Sequence, residues 1–324
     1  MSIQILTRVT RLRRVGIGLW LAKVLAKAVG LPNLAGILFT RIRLWIHPVA
    51  YHARRRWAQE FSSRNSQHVV ICPADGYVTF SDKTFPSVDH VVGVCNEILD
   101  NKGRDKLDSW YENKTTSKSK NFFFNILEES DILKYPGLMK FALSDYVLYS
   151  LVPYYGMLPR LCSIGLYYSR VSSTRAGSQN FHLDGTDPHH IKCFINVSDV
   201  GPEDGPFTFI PACRTEELRQ ANGGILRSAG LENAELLSRY EKDCSIKLIG
   251  GPGTGAFVDT SRCLHYGSCC KENPRIVFMF HYAVFANYTN LDKNPLRDIR
   301  MQHYPEICTR FGVDELRRDI LRIS

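Results

Sequence analysis

From Pro159 onward this chain breaks into short apolar or alternating runs separated by Gly and Pro, and that pattern restricts it to folds built from many short strands. Ile164-Gly-Leu-Tyr-Tyr-Ser169 reads as a strand, Ile191-Lys-Cys-Phe-Ile-Asn-Val-Ser198 alternates and reads as another, and Phe207-Thr-Phe-Ile-Pro211 is a third. Ser245 to Ile249, Gly255 to Val258 and Ile276 to Phe285 continue the series. Residues 214–240 read as helix-rich with a break at Gly223-Gly224. The expected architecture is mainly β with flanking helices (α+β), as a sandwich or jelly roll. No internal repeat is evident.

Ahead of that region, Val69-Val70-Ile71 and Val91-Val92-Gly93-Val94 read as β-type runs, with Gly76 and Pro86 between them. Residues 101–120 are polar and Lys-rich and read as an exposed loop. Residues 123–152 carry Leu133, Leu138, Phe141 and the run Leu143 to Leu151 at helical spacings.

The chain has 324 residues and a formal charge of +9, which raises the question of a nucleic-acid partner. The distribution answers it. Residues 1–59 hold eleven Lys and Arg and no acid, which leaves 30 basic against 32 acidic residues in 60–324. That body lacks the basic surface needed to neutralise phosphates, so no nucleic-acid partner is expected. The division also suggests two parts: a basic helical extension over 1–59 and a domain over 60–324 with its jelly-roll core at about 146–285.

In the extension, Arg8, Arg11, Arg13 and Arg14 precede an apolar run from Val15 to Ala22, and Trp20, Trp45 and Trp57 are three of the four tryptophans. No run reaches the ~18–20 apolar residues that span a bilayer. Basic residues interleaved with Trp and Leu fit a helix on an anionic membrane surface. A mitochondrial presequence shares that composition, and a basic helix packed on the body is the third reading. The ten cysteines show no CxxC pair and no framework spacing, which fits free thiols in a reducing compartment such as the cytoplasm.

The chemistry concentrates at His182-Leu183-Asp184. On a strand, residues i and i+2 face the same way, so imidazole and carboxylate can chelate one ion. Alone the pattern is weak: with 10 histidines in the chain, roughly half a match arises by chance. A second block strengthens it. Gly255-Ala-Phe-Val-Asp-Thr-Ser-Arg-Cys-Leu-His265 is followed by Gly267-Ser268, Asn273-Pro-Arg275 and the apolar run Ile276 to Phe280. Two His and one carboxylate on one face of an octahedron leave three positions open, the ligand pattern of non-haem Fe(II) oxygenases. An arginine on the next strand suits a carboxylate in a closed pocket.

From about Tyr146 to Phe285 the chain resembles the phytanoyl-CoA dioxygenase-like Fe(II)/2-oxoglutarate oxygenases. The markers are Phe181-His-Leu-Asp184, Phe194-Ile-Asn-Val-Ser-Asp-Val200, Asp204-Gly-Pro-Phe207, Ile210-Pro211 and the His265 to Arg275 block. The resemblance implies a double-stranded β-helix, with His182, Asp184 and His265 on Fe(II), Arg275 on 2-oxoglutarate, and O2 as the second cosubstrate. It implies a small-molecule or lipid-type substrate oxidised at an aliphatic C–H, with release of succinate and CO2. Related halogenases lack the carboxylate, so Asp184 points to hydroxylation or another oxidation rather than halogenation. Three positions depart from the family: Pro211-Ala212-Cys213-Arg214 replaces a frequent Pro-Gly-Ser-His turn, Leu183 stands where some members carry a polar residue that touches the cosubstrate, and Gly267 stands where a hydroxyl is common.

Tyr168 and Asn196 lie on strands expected to line the barrel and are candidate cosubstrate or substrate contacts. His189 and His190 read as loop residues. His281 is a rival third ligand, but no arginine follows it at ten or eleven residues. Arg262 reads as a surface residue. Gly250-Gly-Pro-Gly-Thr-Gly255 lacks a Gly-Lys-Ser/Thr ending and reads as a turn. Two other functions use the same residues: a non-catalytic jelly-roll binding module, and a zinc hydrolase indifferent to O2.

Overall fold

A computed structural model describes residues 48–62, 69–112, 123–172, 177–184, 187–223, 226, 234–284, 299–300, 314 and 320. Its frame is a large antiparallel sheet. The strands are β1 (Tyr77–Phe80), β2 (Phe123–Asn125), β3 (Arg160–Ser169), β4 (His190–Asn196), β7 (Gly255–Asp259), β9 (Arg275–Ala283) and β10 (Ile299–Arg300). They run in the order β1-β7-β4-β9-β3-β10, with β2 also paired to β3. A smaller sheet of β6 (Ile246–Lys247), β5 (Phe207–Ile210) and β8 (Leu264–Gly267) faces it. An isolated bridge between His182 and His265 extends the small sheet past β8. This is the double-stranded β-helix with flanking helices. The large sheet reaches back to Tyr77, well before residue 146, because β1 pairs with β7 from Tyr77↔Val258 to Phe80↔Gly255.

Strand alternation gives the large sheet two unlike faces. Ile164, Leu166, Ile191, Cys193, Ile195, Phe257, Phe278, Phe280 and Tyr282 point outward into the main core. Helices cover that face: α2 (Val88–Ile98), α5 (Pro136–Ala142) and α6 (Asp145–Tyr155) contribute Val88, Cys95, Leu138, Phe141, Leu148 and Leu151 to the same core. The opposite face looks into the barrel. There Phe194, Ala256, Val258 and Val277 meet Phe207 and Phe209 of the small sheet, and the rings of Phe194 and Phe207 stack at 3.8 Å.

Several expectations are corrected. Val91-Val92-Gly93-Val94 is not a strand but the middle of α2. Val88, Val91, Val92, Cys95 and Ile98 are buried at helical spacing, and this amphipathic period overrides the β-branched composition. Val69-Val70-Ile71 forms no strand either. Residues 99–112 are a π-turn (Leu99–Gly103) followed by α3 (Arg104–Glu112) rather than a loop; 113–120 lie outside the described residues. Lys102 and Lys106 tie this stretch to Glu128 and Asp131 at the start of α4 (Glu129–Lys134). Residues 214–240 resolve into α7 (Ala212–Ala221) and the start of α8 (Ala234–Cys244).

The charge boundary at 59/60 falls inside α1 (Pro48–Ser62). Tyr51, Ala58 and Phe61 are buried on one side of this helix, Phe61 stacks on Tyr149 at 4.1 Å, and Arg54 Nε donates to the Leu158 carbonyl at 2.8 Å. Residues 48–59 thus pack on the domain. Residues 1–47, where the membrane-surface and presequence readings mostly fall, lie outside the described residues. Among the described residues no helix is long and apolar enough to cross a membrane, and the nine cysteines are free thiols.

Candidate metal centre

The bridge between residues 182 and 265 builds the centre. His182 N donates to His265 O at 2.9 Å and His265 N donates to His182 O at 3.1 Å. This direct pairing sets the two imidazoles side by side, with ring centroids 4.3 Å apart. Two residues on, Asp184 N donates to Thr260 O at 2.9 Å, which holds the carboxylate over the same spot. One ligand atom from each of His182, Asp184 and His265 lies within 4.8 Å of the others, and this is the metal-capable cluster among the described residues. His182 reaches the cluster from extended backbone held by a single bridge, not from within a regular strand as expected.

The donor set fits a divalent ion. His182 Nδ1–H donates to the Asn180 carbonyl at 2.8 Å and His265 Nδ1–H donates to the Cys263 carbonyl at 3.0 Å. Each carbonyl fixes the tautomer that leaves the Nε2 lone pair for a metal. Burial pushes the His265 pKa down to about 3, so its imidazole is unprotonated at neutral pH. Desolvation, the largest single influence, pushes the Asp184 carboxyl up, but the Lys192 ammonium, His190 and His265 together outweigh it, and the pKa ends well below the usual range. Lys192, with Nζ 2.7 Å from Asp184 Oδ2, is the nearest cation to that carboxylate.

Arg275 opens β9 on the inner face and is buried. Its Nη1 donates to the Gly205 carbonyl and its Nη2 to Ser169 Oγ at 3.4 Å, while Nε has no hydrogen-bond partner. Among the described residues no carboxylate pairs with it. Burial lowers the guanidinium pKa, the expected result of stripping a cation of water without supplying a counter-charge. The Asp204-Gly-Pro-Phe207 segment now has a physical role. Asp204 Oδ1 accepts from Asn273 N and Nδ2, both at 3.0 Å, and pins the turn that leads into Arg275. Gly205 holds φ +68°, and a Cβ there would lie 2.6 Å from the Ser268 carbonyl.

The other candidates separate. Tyr168 packs on the main core with Ile276 and Phe124, on the helix side of the sheet and away from the triad. Alternation explains this: 168 shares a face with Ile164 and Leu166, and it is Tyr167, buried between Ser163 and Ser169, that turns inward over Gly165. Asn196 does lie on the inner face, but its Nδ2 donates to the Gly250 carbonyl at 3.2 Å and braces the 250–255 turn. His190 is not a loop residue; it begins β4, buried, with Nδ1 3.8 Å from Asp184 Oδ2. His189 points the other way, onto Asp259 Oδ2 at 2.8 Å. His281 bonds Ser163 Oγ at 2.5 Å and stays outside the triad. Arg262 is half-buried, donating to the Pro73 carbonyl at 2.8 Å and to Tyr154 Oη at 2.7 Å.

Sequence reasoning missed Lys192, the one charged side chain inside β4. The signal was present: with Ile191, Cys193 and Ile195 on the core face, residue 192 must face into the barrel. A separate cavity of about 590 Å³, lined by Glu203, Lys247, Tyr266 and Lys271 among others, excludes all three triad residues.

No family model matches the chain, and no curated protein matches it. Solved structures do. The non-heme alpha ketoglutarate dependent epimerase SnoN from nogalamycin biosynthesis is 14% identical over 75% of this chain and 94% of its own, with a TM-score of 0.46. EctD from S. alaskensis with bound Fe is 15% identical over 65% of this chain and 73% of its own, at 0.41. HygX from Streptomyces hygroscopicus, with nickel and 2-oxoglutarate bound, is 15% identical over 65% and 84%, at 0.37.

Proposed function

We propose that this chain is an Fe(II)- and 2-oxoglutarate-dependent dioxygenase that hydroxylates an aliphatic C–H bond of a small-molecule or lipid-type substrate, releasing succinate and CO2. One observation carries the reading. A triad of two imidazoles and a carboxylate lines the same barrel interior as a buried guanidinium that has no carboxylate partner among the described residues. The triad suits Fe(II) with three positions left open, and a buried arginine without a counter-charge suits the far carboxylate of a keto diacid. A zinc hydrolase has no use for that guanidinium.

Iron, when bound with the keto acid and O2, supplies the oxidising power for the C–H bond, and the protein supplies the rest. His182 and His265 present fixed Nε2 lone pairs, and Asp184 presents a carboxylate already ionised at neutral pH. Arg275 orients the cosubstrate by a charge-assisted contact, with Gly205 and Ser169 holding the guanidinium in place. Phe194 and Phe207 wall the interior with apolar surface that excludes water.

The test is succinate formation from 2-oxoglutarate and O2, scored against pools of candidate substrates with the purified Fe(II)-loaded protein. The proposal expects substrate-dependent succinate from the wild type and none from His182→Ala. Equal succinate from both proteins would sink it. A binding module gives no succinate from any pool. Binding of the full-length chain to anionic vesicles tests the lipid-type substrate and the peripheral membrane contact assigned to residues 1–59.

A further inference from the structure

A row of polar side chains crosses three strands on the inner face of the large sheet. Lys192 of β4 stands opposite His281 of β9, and His281 stands opposite Ser163 of β3. Ser163 Oγ and His281 Nδ1 are 2.5 Å apart, and the rings of His281 and His190 lie 4.5 Å apart. His190, His281 and Ser163 are buried, and the Lys192 side chain is 18% exposed. Lys192 is the one lysine in a row otherwise made of imidazoles and a hydroxyl.

This row is not the keto-acid site. Arg275 lies six residues before His281 on β9, which puts their backbones about 20 Å apart at strand rise. The triad lies between the two: Asp184 Oδ2 is 2.7 Å from Lys192 Nζ, and a Cβ on Gly267, two residues past His265, would lie 3.5 Å from Arg275 Nη2. Among the described residues Asp184 is the ion-pair partner of Lys192. A divalent ion held by the triad would share that carboxylate, so the ammonium would stand beside a second cation with one counter-charge divided between them. A shielded charge in that position demands an anion.

Resting on the functional reading above, we propose that Lys192, with His190, His281 and Ser163 beside it, is a second anion receptor at the end of the barrel opposite Arg275, and that the substrate carries a carboxylate or phosphate group that docks there. Lys192 is a substrate-binding residue in this scheme, and it holds the substrate's charged head while the hydrocarbon part faces the metal. The lipid-type and small-molecule readings narrow together to acids or phosphate esters.

Calorimetric titration of butyrate, and separately of methyl phosphate, into the full-length protein holding Mn(II) and 2-oxoglutarate tests the proposal. Wild type should bind one of the two saturably, and which one binds tells carboxylate from phosphate. Lys192→Met should weaken that binding by at least about ten-fold, the scale of one charged hydrogen bond, and Lys192→Arg should restore it to within a few-fold. Both variants should bind Mn(II) no more weakly than wild type and 2-oxoglutarate equally well. Binding of neither anion by wild type, or unchanged binding by Lys192→Met, overturns the proposal. Failure of Mn(II) or 2-oxoglutarate to bind at the loading step brings down the functional reading and this inference with it.

Discussion

The two faces of the β4–β9 pair carry opposite kinds of side chain. Outward, Ile191, Cys193 and Ile195 alternate with Phe278, Phe280 and Tyr282 of the neighbouring strand, all in the main core under the helices. Inward, the same strands present His190, Lys192, Phe194 and Asn196 beside Arg275, Val277, Met279 and His281. One face is apolar and satisfied, and the other holds a guanidinium, an ammonium and two imidazoles inside a barrel. Apolar burial stabilises, whereas buried charge without a partner costs stability and is retained where a ligand completes it. The difference teaches that stability and chemistry are divided between alternate residues of one strand pair, so single substitutions should separate them.

The largest separation should come from the triad. His182→Ala and Asp184→Ala are expected to lower metal affinity by more than about 100-fold, beyond the usual loss from deleting an outer-shell partner, and to abolish succinate formation. Without metal, the unfolding curve of His182→Ala should stay close to wild type, whereas Asp184→Ala should unfold earlier because it strips Lys192 of its ion-pair partner. Calorimetric metal titration and urea unfolding check both halves, and a triad variant that keeps its metal affinity would break the comparison.

Acid should act on the inner face alone. His190, His265 and His281 have native pKa values depressed below the ~6.5 of an unfolded histidine, so below that pH the unfolded chain binds more protons than the native one. Stability of the metal-free protein is then lost as pH falls from about 6.5 toward 4, by up to about ten-fold in the unfolding constant per pH unit for each imidazole. Urea midpoints that do not move between pH 7 and 5 would contradict this. The outer face has no part in the effect.

Phe280→Ala tests the other side. Phe280 is fully buried and meets Phe141, Phe257, Phe278 and Tyr282 within 6.4 Å between ring centroids. Its truncation should cost about 3–5 kcal/mol of unfolding free energy. Metal affinity of the folded fraction should not change. A fall in metal affinity as large as that of His182→Ala would show the two faces to be coupled.

Much of this division was legible in the sequence, and the failures follow one physical rule. His182, Asp184 and His265 were singled out by residue type and spacing, and the structure brings one ligand atom of each within 4.8 Å of the others. Tyr168 was placed on the wrong face because two adjacent tyrosines are equally suited to a pocket; only their phase relative to Ile164 and Leu166 separates them. Lys192 was overlooked for want of the same phase argument. Val91 to Val94 read as a strand because β-branched composition was weighed over the spacing of Val88, Val91, Cys95 and Ile98. The boundary at residue 59 was drawn on charge, and burial of Tyr51, Ala58 and Phe61 carries a packed helix across it. The pairing of His182 with His265 joins residues 83 apart in sequence, and local pattern holds no record of it.

Smaller effects sharpen the inner face. Arg275→Leu should raise the dissociation constant of 2-oxoglutarate by about 10–100-fold, as befits one or two charge-assisted hydrogen bonds, and leave Mn(II) affinity unchanged. Equal 2-oxoglutarate binding in the variant would show that this guanidinium serves the fold only. Gly205→Ala should destabilise by about 1–2 kcal/mol, because φ is +68° and the Ser268 carbonyl blocks a Cβ. It should also weaken 2-oxoglutarate binding more than metal binding, since Gly205 supplies the carbonyl that aims Arg275. Thermal unfolding and the same calorimetry check the pair.

The most direct test of the account is calorimetric titration of 2-oxoglutarate into anaerobic full-length protein with and without Mn(II). A metal triad and an arginine that grip opposite ends of one diacid predict binding of one equivalent with metal present, and binding at least about ten-fold weaker without it. Absence of binding in the metal-loaded protein, or equal affinity with and without metal, would contradict the account.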